Sequence, residues 1–139
     1  MLARWIPLSL IAPLLPAQDL WDGTRIHLPE TLLGASLHVA DLDGDGDLDV
    51  VGARGDLGPV TVLRNDGHGV FTRLPAAQMG DPLLRAESAT PADVDGDGDI
   101  DLWFSGLGTN GPRLWRNGGG GTFVDATAAA VPAGLAAVH

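Results

Sequence analysis

Apolar residues along this chain fall in short runs separated by glycine, proline, asparagine and aspartate. "SLHVA" (36–40) is followed, after a polar loop, by "LDVVGA" (48–53), in which Leu48, Val50 and Val51 are apolar. "VTVLRN" (60–65) comes next, then the turn "DGHG" and the run "VFTRL" (70–74). Runs this short, rich in β-branched residues and bounded by turn formers, predict strands. The series recurs downstream as "SATPA", a loop, "IDLWFSG", "PRLWRN", "GGGG" and "TFVDAT". Four strands per unit is the make-up of one β-propeller blade. The run "TAAAVPAGLAAV" (127–138) passes for a helix start, but Pro132 and Gly134 argue against a long helix.

The two units keep one offset without a gap. Ser36 matches Ser88, Ala40 matches Ala92, Arg64-Asn65 matches Arg116-Asn117, and Phe71 matches Phe123, each 52 residues apart. A shared offset across the whole unit is an internal duplication, and periods of about 40–50 residues point to architectures such as propellers. The predicted fold class is all-β: two four-stranded blades of an incomplete ring, plus a lone N-terminal outer strand. That strand is read from Asp22-Gly23-Thr24 and "RIHL", which resemble "GGTFV" of the second unit. The expected organisation is 1–18 a signal peptide, 19–35 the outer strand of a partial blade, 36–87 the first repeat and 88–139 the second.

Charge sharpens this picture. The chain has 139 residues and a formal net charge of −10. Ten aspartates sit in two stretches, "ADLDGDGDLDVV" and "ADVDGDGDIDLW", and the eight other acids balance the eight arginines. The negative charge is thus two point-like concentrations, which attract cations and repel nucleic acid. With no cysteine, disulfides and thiolate chemistry are excluded.

Alternate-residue aspartates on a tight loop can aim several carboxylates at one centre. Calcium takes six to eight oxygen ligands at about 2.3–2.6 Å in irregular geometry. Counting from Asp41, positions 1, 3, 5 and 9 are Asp41, Asp43, Asp45 and Asp49; position 6 is Gly46 and position 7 is Asp47. The second loop gives Asp93, Asp95, Asp97, Asp101, Gly98 and Asp99 in the same order. The position-6 glycine permits a sharp turn, and a position-7 carbonyl can serve as a ligand. An EF-hand is excluded: position 12 is Gly52 or Phe104, and each loop feeds into a strand-like run where an EF-hand needs a helix. Zinc lacks its cysteines and clustered histidines, and magnesium prefers fewer carboxylates. Two Ca2+ sites are expected.

These stretches, "ADLDGDGDLDVVGARG…VTVLRNDGHGVF" and "ADVDGDGDIDLWFSG…RLWRNGGGGTF", resemble the FG-GAP/VCBS-type repeats of integrin-α-like propellers. The resemblance covers roughly residues 36 to 127. It implies a blade per repeat and calcium held in the loop between strands. By resemblance the side-chain ligands are Asp41, Asp43, Asp45 and Asp49, and Asp93, Asp95, Asp97 and Asp101, with Asp47 and Asp99 ligating through their backbone.

The N-terminal "MLARWIPLSLIAPLLPAQ" looks like an export signal. Arg4 gives a positive start, Ile6 to Leu15 is apolar, and Ala17 is small, although Pro7 and Pro13 interrupt the run. The apolar stretch is far shorter than the ~20 residues of a membrane-spanning helix. A secreted or cell-envelope location is expected, with no transmembrane segment.

Four histidines (His27, His38, His68, His139) show no ligand spacing and read as packed or solvated. No nucleophile motif such as G-x-S-x-G occurs. Trp103, Trp115 and Phe123 read as core between blades and not as a sugar platform. Arg64-Asn65 and Arg116-Asn117 read as turn structure, each arginine contacting a nearby acid. The expected function is a non-catalytic, exported, calcium-binding module for interaction or adhesion. Its partner would be a protein or a carbohydrate. The alternative is a scaffold or accessory of an extracellular enzyme, such as one acting on polysaccharide. Two blades alone are expected to leave apolar faces open at Val50, Leu102 and Trp115, to be covered by further blades in cis or by oligomerisation. A third loop would begin past His139, so the chain reads as the start of a longer propeller.

Overall fold

The computed structural model describes residue 32, residues 35–106 and residues 111–130. The expected signal (1–18) and the lone outer strand (19–35) lie, save for residues 32 and 35, outside the described residues. Two four-stranded antiparallel sheets make up the fold, each a simple meander. The first holds β1 (Ser36–Ala40), β2 (Asp49–Ala53), β3 (Thr61–Asn65) and β4 (Phe71–Arg73). The second holds β5 (Ala86–Ala92), β6 (Asp101–Gly106), β7 (Arg113–Asn117) and β8 (Phe123–Asp125). A single helical turn, α1 (Thr127–Ala130), comes after β8.

The duplication is visible residue by residue. Val39 pairs with Val50 and Val51 with Val62 in the first sheet. Pro91 pairs with Leu102 and Trp103 with Leu114 in the second. Each sheet is one propeller blade. Among the described residues the blades form no closed ring.

Strand alternation decides which side chains meet. Val51, Ala53 and Val62 share the back face of blade 1. Ala89, Leu102, Phe104, Trp115 and Phe123 share the front face of blade 2. These residues form one buried cluster, with β5 lying against β1 and β2. The core therefore lies between the blades. Phe104 meets Trp115 edge-on at 4.8 Å between ring centroids, and Trp115 meets Phe123 at 6.1 Å.

The connection between blades closes this core. Leu74, Met79 and Leu84 are buried in it, and the Val60 N–H donates to the Leu84 carbonyl at 2.7 Å. A Cβ at Gly80 would lie 2.7 Å from Trp115 Cδ1 and 2.9 Å from the Asp125 nitrogen. Glycine at that position lets the connection run flat against the indole.

Two expectations are corrected by the packing. Val50, Leu102 and Trp115 do not line open faces: all three are buried. Leu102 and Trp115 point at blade 1, and Val50 packs with Leu63 beneath Leu32. Trp103 is the exception among the predicted core aromatics. It is only half-buried, because alternation puts it on the opposite face from Leu102 and Phe104. α1 partly covers that face, where the Thr127 hydroxyl accepts the Leu114 N–H at 3.0 Å.

Candidate metal centre

Each acidic loop joins the first strand of a blade to the second. In loop 1 the chain reverses through Gly44 and Gly46, at φ +78° and +93°. Loop 2 repeats this at Gly96 and Gly98, at +79° and +96°. Left-handed backbone of this kind is open to glycine and costly for other residues. Asp41 fixes the reversal: its two oxygens accept the N–H groups of Gly44 (2.8 Å) and Gly46 (3.0 Å). Asp93 does the same for Gly96 (2.7 Å) and Gly98 (3.1 Å).

Asp49 opens β2 and is fully buried. Its carboxylate accepts the Leu42 N–H at 2.9 Å and the Asn65 N–H at 2.8 Å, tying the start of the loop to the end of β3. Asp101, also fully buried, accepts from Val94 at 2.9 Å and Asn117 at 2.8 Å. Burial pushes the Asp49 carboxyl up from the ordinary aspartate range. The two N–H donors oppose that rise, and the nearby Asp43 and Asp45 charges add to it.

One carboxylate oxygen from each of Asp41, Asp43 and Asp49 lies within 4.8 Å of the other two, and Asp93, Asp95 and Asp101 form the same group. Oxygens around one calcium ion stand at most about 4.6–5.2 Å apart, twice the Ca–O distance. The groups therefore fit a hard dication. A second observation comes from Asp43, whose Oδ1 is buried and has no hydrogen-bond partner. Such an oxygen is costly unless a cation or donor meets it.

The other predicted ligands stand outside these groups. Asp45 Oδ1 accepts the Asp47 N–H at 2.9 Å, and Asp97 Oδ1 accepts the Asp99 N–H at 3.0 Å. Asp47 and Asp99 complete the turns beside Gly67 and Gly119.

Arginine contacts acid, as the sequence pattern predicts. Arg64 donates to Asp43 Oδ2 from Nε at 2.9 Å and from Nη2 at 2.6 Å. Arg116 pairs with Asp95 and lies 3.6 Å from Asp97. The asparagines do more than turn the chain. Asn65 Nδ2 donates to the Leu48 carbonyl at 3.2 Å, and its Oδ1 accepts the Gly67 N–H at 3.1 Å. Asn117 repeats both bonds, to Ile100 at 3.1 Å and from Gly119 at 3.1 Å. The recurrence of Arg-Asn at the repeat offset was the available sequence signal for this bracing. Of the histidines, His38 Nε2 lies 3.1 Å from both Ser36 Oγ and Ser88 Oγ, across the two inner strands. His68 is exposed, and His27 and His139 lie outside the described residues.

Residues 41–104 match the FG-GAP-like repeat family. That stretch is similar to an FG-GAP-like repeat. The FG-GAP-like segment opens on Asp41 and ends inside β6, so it takes in both acidic loops and β2, β3, β4 and β5. Comparison with curated proteins and with solved structures finds no match to the chain. No helix among the described residues is long and apolar enough to cross a membrane.

Proposed function

We propose that this chain is an exported, calcium-binding β-propeller module that works by binding, in interaction or adhesion, and not by catalysis. One observation carries the metal reading: Asp43 Oδ1 is buried without a partner in the same carboxylate group as Asp41 and Asp49. Asp41, Asp43 and Asp49 would hold one ion, and Asp93, Asp95 and Asp101 the other. The Asp47 and Asp99 carbonyls and water would supply the remaining oxygens, with Asp45 and Asp97 joining by rotation.

When bound, each ion supplies two positive charges at a cluster whose carboxylates otherwise repel by roughly a few kcal/mol per pair. The chain's own groups do the rest. Asp41 and Asp93 shape the turns, and Asp49 and Asp101 anchor them to β3 and β7. The charged residues outside the loops balance, which suits a scaffold whose acid is there for metal. The pattern of residues 1–18 supports export to the secreted or envelope space, where calcium is plentiful. The partner class is a protein or a carbohydrate.

Calorimetric titration of calcium into the folded chain tests this reading. Two sites are expected, with affinity roughly in the micromolar-to-millimolar range. Asp43→Ala should abolish the first and spare the second, and Asp95→Ala the reverse. A folded protein that takes up no calcium refutes the metal reading.

A further inference from the structure

Leu42 and Val94 hold the same position in the two repeats, yet Leu42 is 2 % exposed and Val94 47 %. What buries Leu42 is blade 2. The front side shows the mirror of this: Ala89 of blade 2 is 0 % exposed, and its counterpart Leu37 in blade 1 is 44 % exposed. The seam between the blades also has a polar part. Asn117 Nδ2 donates to the Leu42 carbonyl at 2.7 Å, and Arg64 Nη2 donates to the Gly120 carbonyl at 3.0 Å.

Each half of that seam recurs on an outward face. The back of blade 2 carries the Val94 carbonyl and Arg116, where blade 1 has the Leu42 carbonyl and Arg64. The front of blade 1 carries Asn65 and the His68 carbonyl, where blade 2 has Asn117 and Gly120. Leu32 covers Val50 and Leu63, so the open part of that front is the inner strand and the loop end. Leu37, Val39 and Val70 are exposed there.

We infer that a second copy of this chain docks head to tail, the front of its blade 1 against the back of blade 2 of the first. The back of one repeat is already seen to accept the front of the next, and the fixed offset supplies the same two faces on the outside, the back of blade 2 being open at Val94 beside the part that α1 covers. In the docked pair, Asn65 donates to the Val94 carbonyl of the other copy, and Arg116 reaches the His68 carbonyl. Such an interface uses different patches on the two partners, so it closes into a ring or extends. Propellers hold about four to eight blades, and copies docked head to tail add blades to the two described here. The inference stands on blade geometry and is independent of the metal reading.

The test is the mass of the full chain by sedimentation velocity or light scattering across concentration, with and without calcium. A mass at least twice the 14.3 kDa of one chain, rising with concentration, is expected. Leu37→Glu blocks the front and Val94→Glu the back. Both positions are exposed, so circular dichroism and thermal melting should show both variants folded. Each variant alone should stay monomeric, and an equimolar mixture should recover a twofold mass, because one intact front meets one intact back. A wild-type chain that is monomeric throughout overturns the inference. So does retention of the wild-type mass by either variant alone, or a mixture that stays monomeric.

Discussion

Arg64 holds Asp43 through two donors on a single oxygen, Oδ2, and leaves the other oxygen of that carboxylate without a partner. The arginine thus serves loop 1 as a built-in cation. Its positive charge, held at Oδ2, opposes a second cation at the same carboxylate. Arg64→Ala should therefore tighten calcium at the first site by about threefold to tenfold. A charge-assisted hydrogen bond is worth about 1.5–3 kcal/mol, less here because the arginine is partly exposed. The second site should be unchanged. Calorimetric titration reads both. Weaker binding at the first site would mean that Arg64 orients Asp43 for the metal and does not compete with it.

Removal of calcium should lower stability. Binding at a hundredfold excess over the dissociation constant adds about 2.7 kcal/mol per site. One kcal/mol moves the melting temperature by roughly 4–8 °C for 60–100 residues and 2–4 °C for 150–250, so about 4 °C for a chain of 139. Chelator should therefore lower the melting temperature by at least 10 °C or so from that in saturating calcium. An unchanged melting curve would separate the loops from the stability of the blades.

Much of this fold was legible in the sequence, because its signals are local. Short apolar runs between turn residues gave the eight strands, and the offset linking Ser36 to Ser88 gave the two blades. The arginine–acid contacts could be read from Arg64 and Arg116 recurring beside acidic loops. Which face each strand buries was harder. Val50 and Val51 are equally apolar neighbours, and only the assembled sheets show Val51 against blade 2 and Val50 beneath Leu32. Trp103 misled for the same reason, since a large aromatic in a strand reads as core on either face. In the loops, spacing placed four carboxylates near one centre, but it could not separate Asp41, Asp43 and Asp49, which converge, from Asp45, which caps Asp47. Nor could it show that Asp49 and Asp101 also anchor the loops to β3 and β7, since those bonds join residues 16 apart.

Gly80 should tolerate no side chain. Gly80→Ala puts a Cβ into the Trp115 ring edge and the β8 backbone at once, and backbone yields less readily than a flexible side chain. Overpacking of this kind costs about 1–3 kcal/mol. Urea denaturation should show the loss, with quenched or shifted tryptophan emission as the indole is displaced. Full wild-type stability in the variant would mean that the connection can lift off Trp115 at no cost.

Asn65 and Asn117 form a matched pair in which one member spans the blades and the other does not. Both donate Nδ2 to the carbonyl just before their buried aspartate, and both accept a turn N–H at Oδ1. Only Asn117 also reaches the other blade, at the Leu42 carbonyl, and it is 2 % exposed. Truncating Asn65 removes bonds that water can replace, so Asn65→Ala should cost about 1 kcal/mol. Truncating Asn117 strands the Leu42 carbonyl where water enters less easily, and a buried unsatisfied group costs about 1–3 kcal/mol. Asn117→Ala should therefore cost about 2–4 kcal/mol, the sum of that penalty and the roughly 1 kcal/mol shared with Asn65→Ala. The excess over Asn65→Ala measures the bond across the seam. Denaturant unfolding of both variants gives the comparison at the same calcium concentration. Equal losses would show that the Asn117 bond to the Leu42 carbonyl adds nothing to the hold between the blades. A larger loss for Asn117→Ala places part of the cohesion in this one hydrogen bond.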